Sequence, residues 1–258
     1  LANNYVYETS GSLRRIGHVY MDLKEYRTSL KYLQRALQLS ESIQHKRGMA
    51  IEYVTIGMTY EYMSILDSAL YFIQKAENSK EYFQDLYPEV NRVFGNIYAK
   101  KGNPKLALFY YRKGIDAGSA LNDFRTMSFI YADAARMFRQ LNQIDSSILY
   151  AKNGLKYGQL ASYKKGILFS SNILAELYDS IDSREALRYY KIASTTKDSL
   201  FGAGNIKTIQ TLVSNEEAKQ KEIEGAKVAY ENQMKQFGLL VSLGAFSLIA
   251  VILYRSNR

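Results

Sequence analysis

The chain has 258 residues, enough for one large domain or two small ones, and its hydrophobic content of 47% is that of a sequence that folds. It has no Cys, which excludes disulfides, thiolate metal sites and a cysteine nucleophile. It has only two Pro, which favours long unbroken helices because an interior Pro costs about 3 kcal/mol there. The net charge of +9 comes with no basic run longer than a short cluster such as Lys164–Lys165, so a solvated basic surface is expected and nucleic-acid binding within this chain is not. The first residue is Leu and no signal-peptide pattern precedes the first helix, so the chain is expected to be a fragment whose N-terminus lies upstream.

In chain order, the first feature is a repeat. Copies begin at Leu13, Tyr53, Asn91, Tyr131 and Ser171. Small residues recur at Gly17, Gly57, Gly95, Ala135 and Ala175, with spacings of 40, 38, 40 and 40. An aromatic follows three positions later: Tyr20, Tyr60, Tyr98, Phe138 and Tyr178. A second small set is Ser29, Ala69, Ala107, Ser147 and Ala186, and a third is Ala36, Ala76, Gly114, Gly154 and Ala193. A glycine inside a helix costs about 1 kcal/mol relative to alanine, so its return at one register implies a close neighbour. The expectation is that a second helix brings its backbone too near for a larger side chain. Bulky residues between, such as Ile16, Ile56 and Leu33, then fill the space. No copy can bury its apolar stripe alone, so the copies must stack.

This pattern resembles the tetratricopeptide repeat over roughly residues 10–196, although other helix-pair solenoids share its general features. The resemblance implies an all-α fold, a right-handed helix-pair solenoid of about five repeats at 1–196. It departs from the family in two ways. The family's Trp is replaced by Leu13, Tyr53, Asn91, Tyr131 or Ser171, and the repeat-ending Pro is missing. In that family the first helices line a concave groove that holds protein or peptide partners. The corresponding positions here are Arg14 and His18, Val54 and Met58, Arg92 and Asn96, Ala132 and Arg136, Asn172 and Glu176. Arg14, His18, Arg92, Asn96, Arg136 and Asn172 are the polar candidates for partner binding. The Arg92/Asn96 pair matches an arrangement that grips a peptide carboxylate, since Arg can fork two hydrogen bonds onto it.

After the repeats, Gly202 and Gly204 mark a joint at 197–205. From Ile206 to Phe237 positions fall at alternating steps of three and four through Ile209, Val213, Glu216, Gln220, Ile223, Lys227, Tyr230 and Met234. That is a weak heptad seam over 206–236, suited to a homodimer through 206–237 or, equally, to a solvated single helix. Phe237–Tyr254 then holds 18 uncharged residues, about 27 Å of helix. A transmembrane helix at 237–254, in contact with a lipid bilayer, is expected. Residues 255–258 would start a cytoplasmic segment, which puts the repeats outside the cytoplasm of a single-pass inner-membrane protein.

Chemistry is sparse. His18 and His45 are the only histidines and neither has a companion at metal-ligand or triad spacing. No catalytic residue, metal site or cofactor is expected, and the chain is not read as an enzyme. Repeats, joint, heptad helix and apolar run, with "KDSLF" at 197–201, resemble the sensory half of Bacteroidetes-type signalling proteins. In those a histidine kinase or helix-turn-helix regulator follows. The implied function is a sensor that binds a peptide or protein and relays the event through the linker helix. A membrane-tethered scaffold without signalling output is the alternative.

Overall fold

Each repeat folds because its first and second helices carry matching aromatics on facing stripes. In the computed structural model, which describes residues 2–82 and 84–256, these rings stack in pairs twelve positions apart. The side chains of 2–5, 203, 205, 206, 208, 209, 212, 216, 227 and 245–256 are outside that description. The stacked pairs are Tyr20 with Tyr32, Tyr60 with Phe72, and Tyr98 with Tyr110, at 5.4–5.6 Å between centroids. Phe138 lies 4.7 Å from Tyr150, and Tyr178 stacks on Tyr189 at 5.7 Å. The fifth pair is eleven apart because its turn is one residue shorter. Each such pair adds about 0.5–1.5 kcal/mol beyond its buried area.

The described residues form eleven α-helices and no strand. They are α1 (Ala2–Asp22), α2 (Tyr26–Ser42), α3 (Lys46–Tyr62), α4 (Leu66–Glu77), α5 (Tyr87–Lys100), α6 (Pro104–Leu121), α7 (Phe124–Gln140), α8 (Ile144–Leu160), α9 (Lys164–Tyr178), α10 (Ser183–Phe201) and α11 (Ala203–Ser256). Two 3₁₀ turns, Lys80–Tyr82 and Gln84–Leu86, lengthen the link between α4 and α5. From α1 to α10 each helix packs on the next, giving five helix pairs in an all-α solenoid. Leu33, Ile56, Ile73, Ile97, Ile130 and Leu174 are fully buried between them, each worth about 1.5–3 kcal/mol.

The close approach at the small positions comes from facing backbone at some and from a side chain at others. A Cβ on Gly95 would lie 2.4 Å from the Tyr111 ring, so here a side chain, not a backbone, occupies the space. At Gly57 the nearest atoms are the facing backbone, Ala69 O and Ile73 N at 3.4 Å, and at Gly154 Ser128 O and Ala132 N would lie 3.1 and 3.3 Å from a Cβ. Where the second small position is Ser, its hydroxyl closes the pair. Ser29 Oγ donates to Gly17 O at 2.7 Å and Ser147 Oγ to Ala135 O at 2.8 Å.

The turns need a left-handed residue, and only one of these is Gly. Lys24, Gln44, Ser64, Asn122, Asn142 and Ser162 have φ between 49° and 63°, while Gly102 has 74°. His45 caps α3 by accepting from Gly48 N at 3.0 Å.

The chain divides into two compact units, 1–209 and 210–258. The second is the body of α11. Within it Val213 and Gln220 are buried, whereas Tyr230, Met234 and Phe237 are exposed; Ile206, Ile209, Glu216 and Lys227 of the expected seam lie outside the described side chains. The expected transmembrane helix is corrected. Among the described residues no helix is long and apolar enough to cross a membrane. Of the expected span, only the side chains of Phe237–Gly244 are described, and these are exposed. The Glu- and Lys-bearing stretch before it cannot extend the span, and 245–254 lie outside the described side chains. The single-pass membrane localisation and the bilayer contact expected from 237–254 fall with it.

Candidate functional site

All five first helices turn the same face inward, and that face lines a cavity of about 640 Å³. Its wall takes His18 and Asp22 from α1, Val54 and Met58 from α3, Glu89 and Arg92 from α5, Arg125 and Phe129 from α7, and Lys165, Leu168 and Phe169 from α9. The first and last of these helices meet, since Lys165 Nζ donates to Asp22 Oδ2, an ion pair spanning 143 residues. An inner surface that curls back on itself encloses more of a ligand than an open groove would.

Aromatic rings and guanidinium groups alternate along part of this wall. Phe129 lies 5.3 Å from Tyr163 and 5.6 Å from Phe169 between ring centroids. Arg125 sits 4.6 Å over Tyr163 and Arg92 5.1 Å over Phe129, while Arg136, outside this cavity, sits 5.9 Å over Phe169. Such stacking holds a guanidinium plane in place while leaving its edge free to donate. His18 is half-buried. Burial pushes it down to about 4; Asp22 opposes this, and Arg14, Lys165 and Arg125 add to it, so it is neutral at pH 7.

A second pocket of about 260 Å³ adjoins Arg92, Asn96 and Arg136. Here the sequence candidates are committed to one another. Arg92 is 3% exposed; its Nε and Nη2 donate to Glu89 Oε1 at 3.0 and 2.7 Å, and its Nη1 to Asp133 Oδ2 at 3.0 Å. Burial works against its charge, yet Glu89, Tyr62 and Asp133 hold the guanidinium well above its ordinary value. Asn96 accepts from Tyr111 Oη at 2.8 Å. Arg136, exposed, donates to Asp133 Oδ1 at 2.6 Å. This network cross-links α5 and α7.

The remaining candidates scatter. Arg14 pairs with the fully buried Glu52 at 2.9 Å and lines neither pocket, and Asn172 is exposed outside both. Val54 and Met58, apolar where a clamp needs charge, are part of the large cavity. Sequence reasoning passed over Arg125, Lys165, Phe129, Tyr163 and Phe169. The first turns of α7 and α9 carry Arg125 and Lys165, a register outside the groove positions considered, and only the closure onto Asp22 brings them to the site.

The comparisons with known proteins agree on the repeat. Residues 12–43 and 93–117 match the tetratricopeptide repeat family. Two response regulator aspartate phosphatases of Bacillus subtilis (strain 168) are similar in sequence. Phosphatase H is 32% identical over 113 residues, 43% of this chain and 30% of that protein. Phosphatase E is 28% identical over 138 residues, 52% of this chain and 33% of that protein. The chain therefore spans about a third of the length of the curated relatives it matches. A thermophilic tetratricopeptide repeat protein of Thermus thermophilus superposes with a TM-score of 0.55 at 16% identity, over 80% of this chain and 98% of the other. BtubC from P. vanneervenii gives 0.53 at 13% identity, over 80% and 92%. At these identities the two structures show the fold alone.

Proposed function

We propose that this chain, which is built of tetratricopeptide repeats and is a protein-interaction region, binds an extended peptide segment of its partner inside the cavity framed by α1, α3, α5, α7 and α9. The observation that carries this reading is that all five first helices contribute to one half-open, largely apolar wall with polar groups at intervals. A peptide threaded there meets apolar walls at Val54, Met58, Leu168 and Phe169, and donors at Lys24 and Arg125 for its carbonyl or carboxylate groups. The chain acts by holding its partner, and no step of bond making is assigned to it.

The partner belongs to bacterial signal transduction. Two relatives are named for acting on response regulators, and the similarity covers about half of this chain. In this reading α11 carries the occupied or empty state of the cavity onward, by pairing with a second copy along 206–237. The exposed Tyr230, Met234 and Phe237 are the part of that seam open to a partner helix. A two-state balance biased by the ligand is the energetic requirement. Disulfide trapping with Met234→Cys tests it: efficient dimer capture that changes on ligand addition supports the relay, and its absence removes the α11 pairing while leaving the cavity intact.

For the cavity itself the test is selection of hexapeptides from a random pool on the full chain, repeated with Met58→Trp, which fills the site. Retention of the selected peptides should fall about tenfold or more, a loss of at least 1.4 kcal/mol. Undiminished retention by a Met58→Trp protein that melts like the parent would place binding elsewhere.

A further inference from the structure

We propose that the cavity selects acidic peptides, and that Arg125, supported by Lys24, receives the carboxylate beside a pocket that takes an apolar side chain. The inference rests on the reading of the cavity as a peptide site and adds the chemistry of its occupant.

The charges that line the cavity are evenly matched in number but not in commitment. Each of its four carboxylates is already engaged. Asp22 is paired with Lys165, Asp85 accepts two hydrogen bonds from Arg47 at 2.9 and 2.7 Å, and Glu89 holds Arg92. Asp123 caps α7 by accepting from Thr126 N at 3.0 Å, where the helix N-terminus itself favours a negative charge. Of the cations, Arg92 and Lys165 are the partners of Glu89 and Asp22. Arg125 and Lys24 are exposed, line the cavity, and have no carboxylate partner among the described residues. A ligand entering this space therefore meets two uncommitted positive charges and no uncommitted negative one.

Arg125 is also the better placed of the two to bind. Its guanidinium lies 4.6 Å over the Tyr163 ring, and Nη2 makes only a long 3.5 Å contact to Tyr163 Oη. Stacking restricts the side chain without consuming its donors, so little rotamer freedom is left to lose when a carboxylate docks. Next to it Phe129, packed edge-on to Tyr163, and Phe169 and Leu168 form an apolar wall. A carboxylate on Arg125 thus places a neighbouring side chain of the same peptide against Phe129. The recognition element is an Asp or Glu within a few residues of a large apolar residue. An amidated, acetylated peptide supplies it as well as one with a free terminus, because the side chain provides the charge.

The test uses three pools of acetylated, amidated hexapeptides on the full chain. All carry Phe at the third position and differ at the fifth, which is Asp, Ser or Lys, with the other positions randomised. Retention is read by mass spectrometry. The acidic pool should be retained about tenfold over the basic one, as a charge-assisted hydrogen bond implies. Arg125→Gln should lower the acidic pool to the level of the Ser pool, and Arg125→Lys should restore part of the difference. Equal retention of the three pools overturns the acidic selectivity but leaves the cavity as a peptide site. A preference that survives Arg125→Gln overturns the role of Arg125. No retention of any pool overturns the peptide reading and this inference together. A single-stranded oligonucleotide that displaces the acidic pool at equal concentration would show a general polyanion site, and would overturn it too. Circular dichroism melting shows whether each variant keeps the parent fold.

Discussion

Arg92 and Arg125 face the same interior from adjacent first helices of the solenoid, and both stack on aromatic rings. One is sealed between two carboxylates and cross-links its own fold; the other is exposed, with an aromatic ring as its principal support. Residue type and repeat register make Arg92 look like the ligand-binding arginine. Partners decide otherwise: a buried guanidinium needs its charge answered from within the protein, whereas an exposed one can wait for a ligand.

The largest effect that could break this comparison comes from Asp133→Ala. It leaves Arg92 buried with half of its compensation gone and should cost about 3–5 kcal/mol in urea unfolding, while Arg125→Gln should stay within about 0.5 kcal/mol. Similar losses for the two variants would erase the distinction. Next, Gly95→Ala puts a Cβ 2.4 Å from the Tyr111 ring, the ring whose hydroxyl holds Asn96 beside Arg92. A loss of about 1–3 kcal/mol is expected, read as a lower thermal midpoint; no loss would mean that the ring moves freely.

Glu52 sharpens the contrast by pH. Burial raises its carboxyl to about 7, only partly offset by Arg14 and Ser10. The folded state then holds a proton that the unfolded state releases near 4.5. The stability from this group is full below about 4.5 and is lost as pH rises through about 7. Glu52→Gln should flatten the stability profile between those values, and an unchanged profile would show that the carboxylate is ionised throughout. The smallest effect is in the turns. Ser64→Gly relieves a left-handed φ of 58° and should raise stability by up to about 1 kcal/mol, seen as a small rise in the thermal midpoint.

The repeat is legible in the sequence because its signals are local. Gly17, Gly57 and Gly95, with Tyr20, Tyr60 and Tyr98, recur at fixed spacing whatever the distant chain does. The rings they meet, Tyr32, Phe72 and Tyr110, recur as regularly, but their pairing shows only once the helices pack. The site is less legible. Asp22 and Lys165 are 143 residues apart, and no spacing rule links them. The acidic partners of Arg92 lie three residues away and one repeat on, so its commitment emerges only from the packing of α5 on α7. The apolar run at 237–254 reads as a span because it lacks charge, yet among the described residues no helix is long and apolar enough to cross a membrane.

Where a peptide lies in the solenoid is the most direct test. A selected hexapeptide carrying benzoylphenylalanine in place of its Phe, photolysed on the full chain, will mark the residues beside it. Adducts on Met58, Phe129, Leu168 or Phe169 are predicted. Adducts confined to Tyr71, Phe109 and Leu149, exposed apolar residues at matching positions on the second helices, would contradict binding in the cavity.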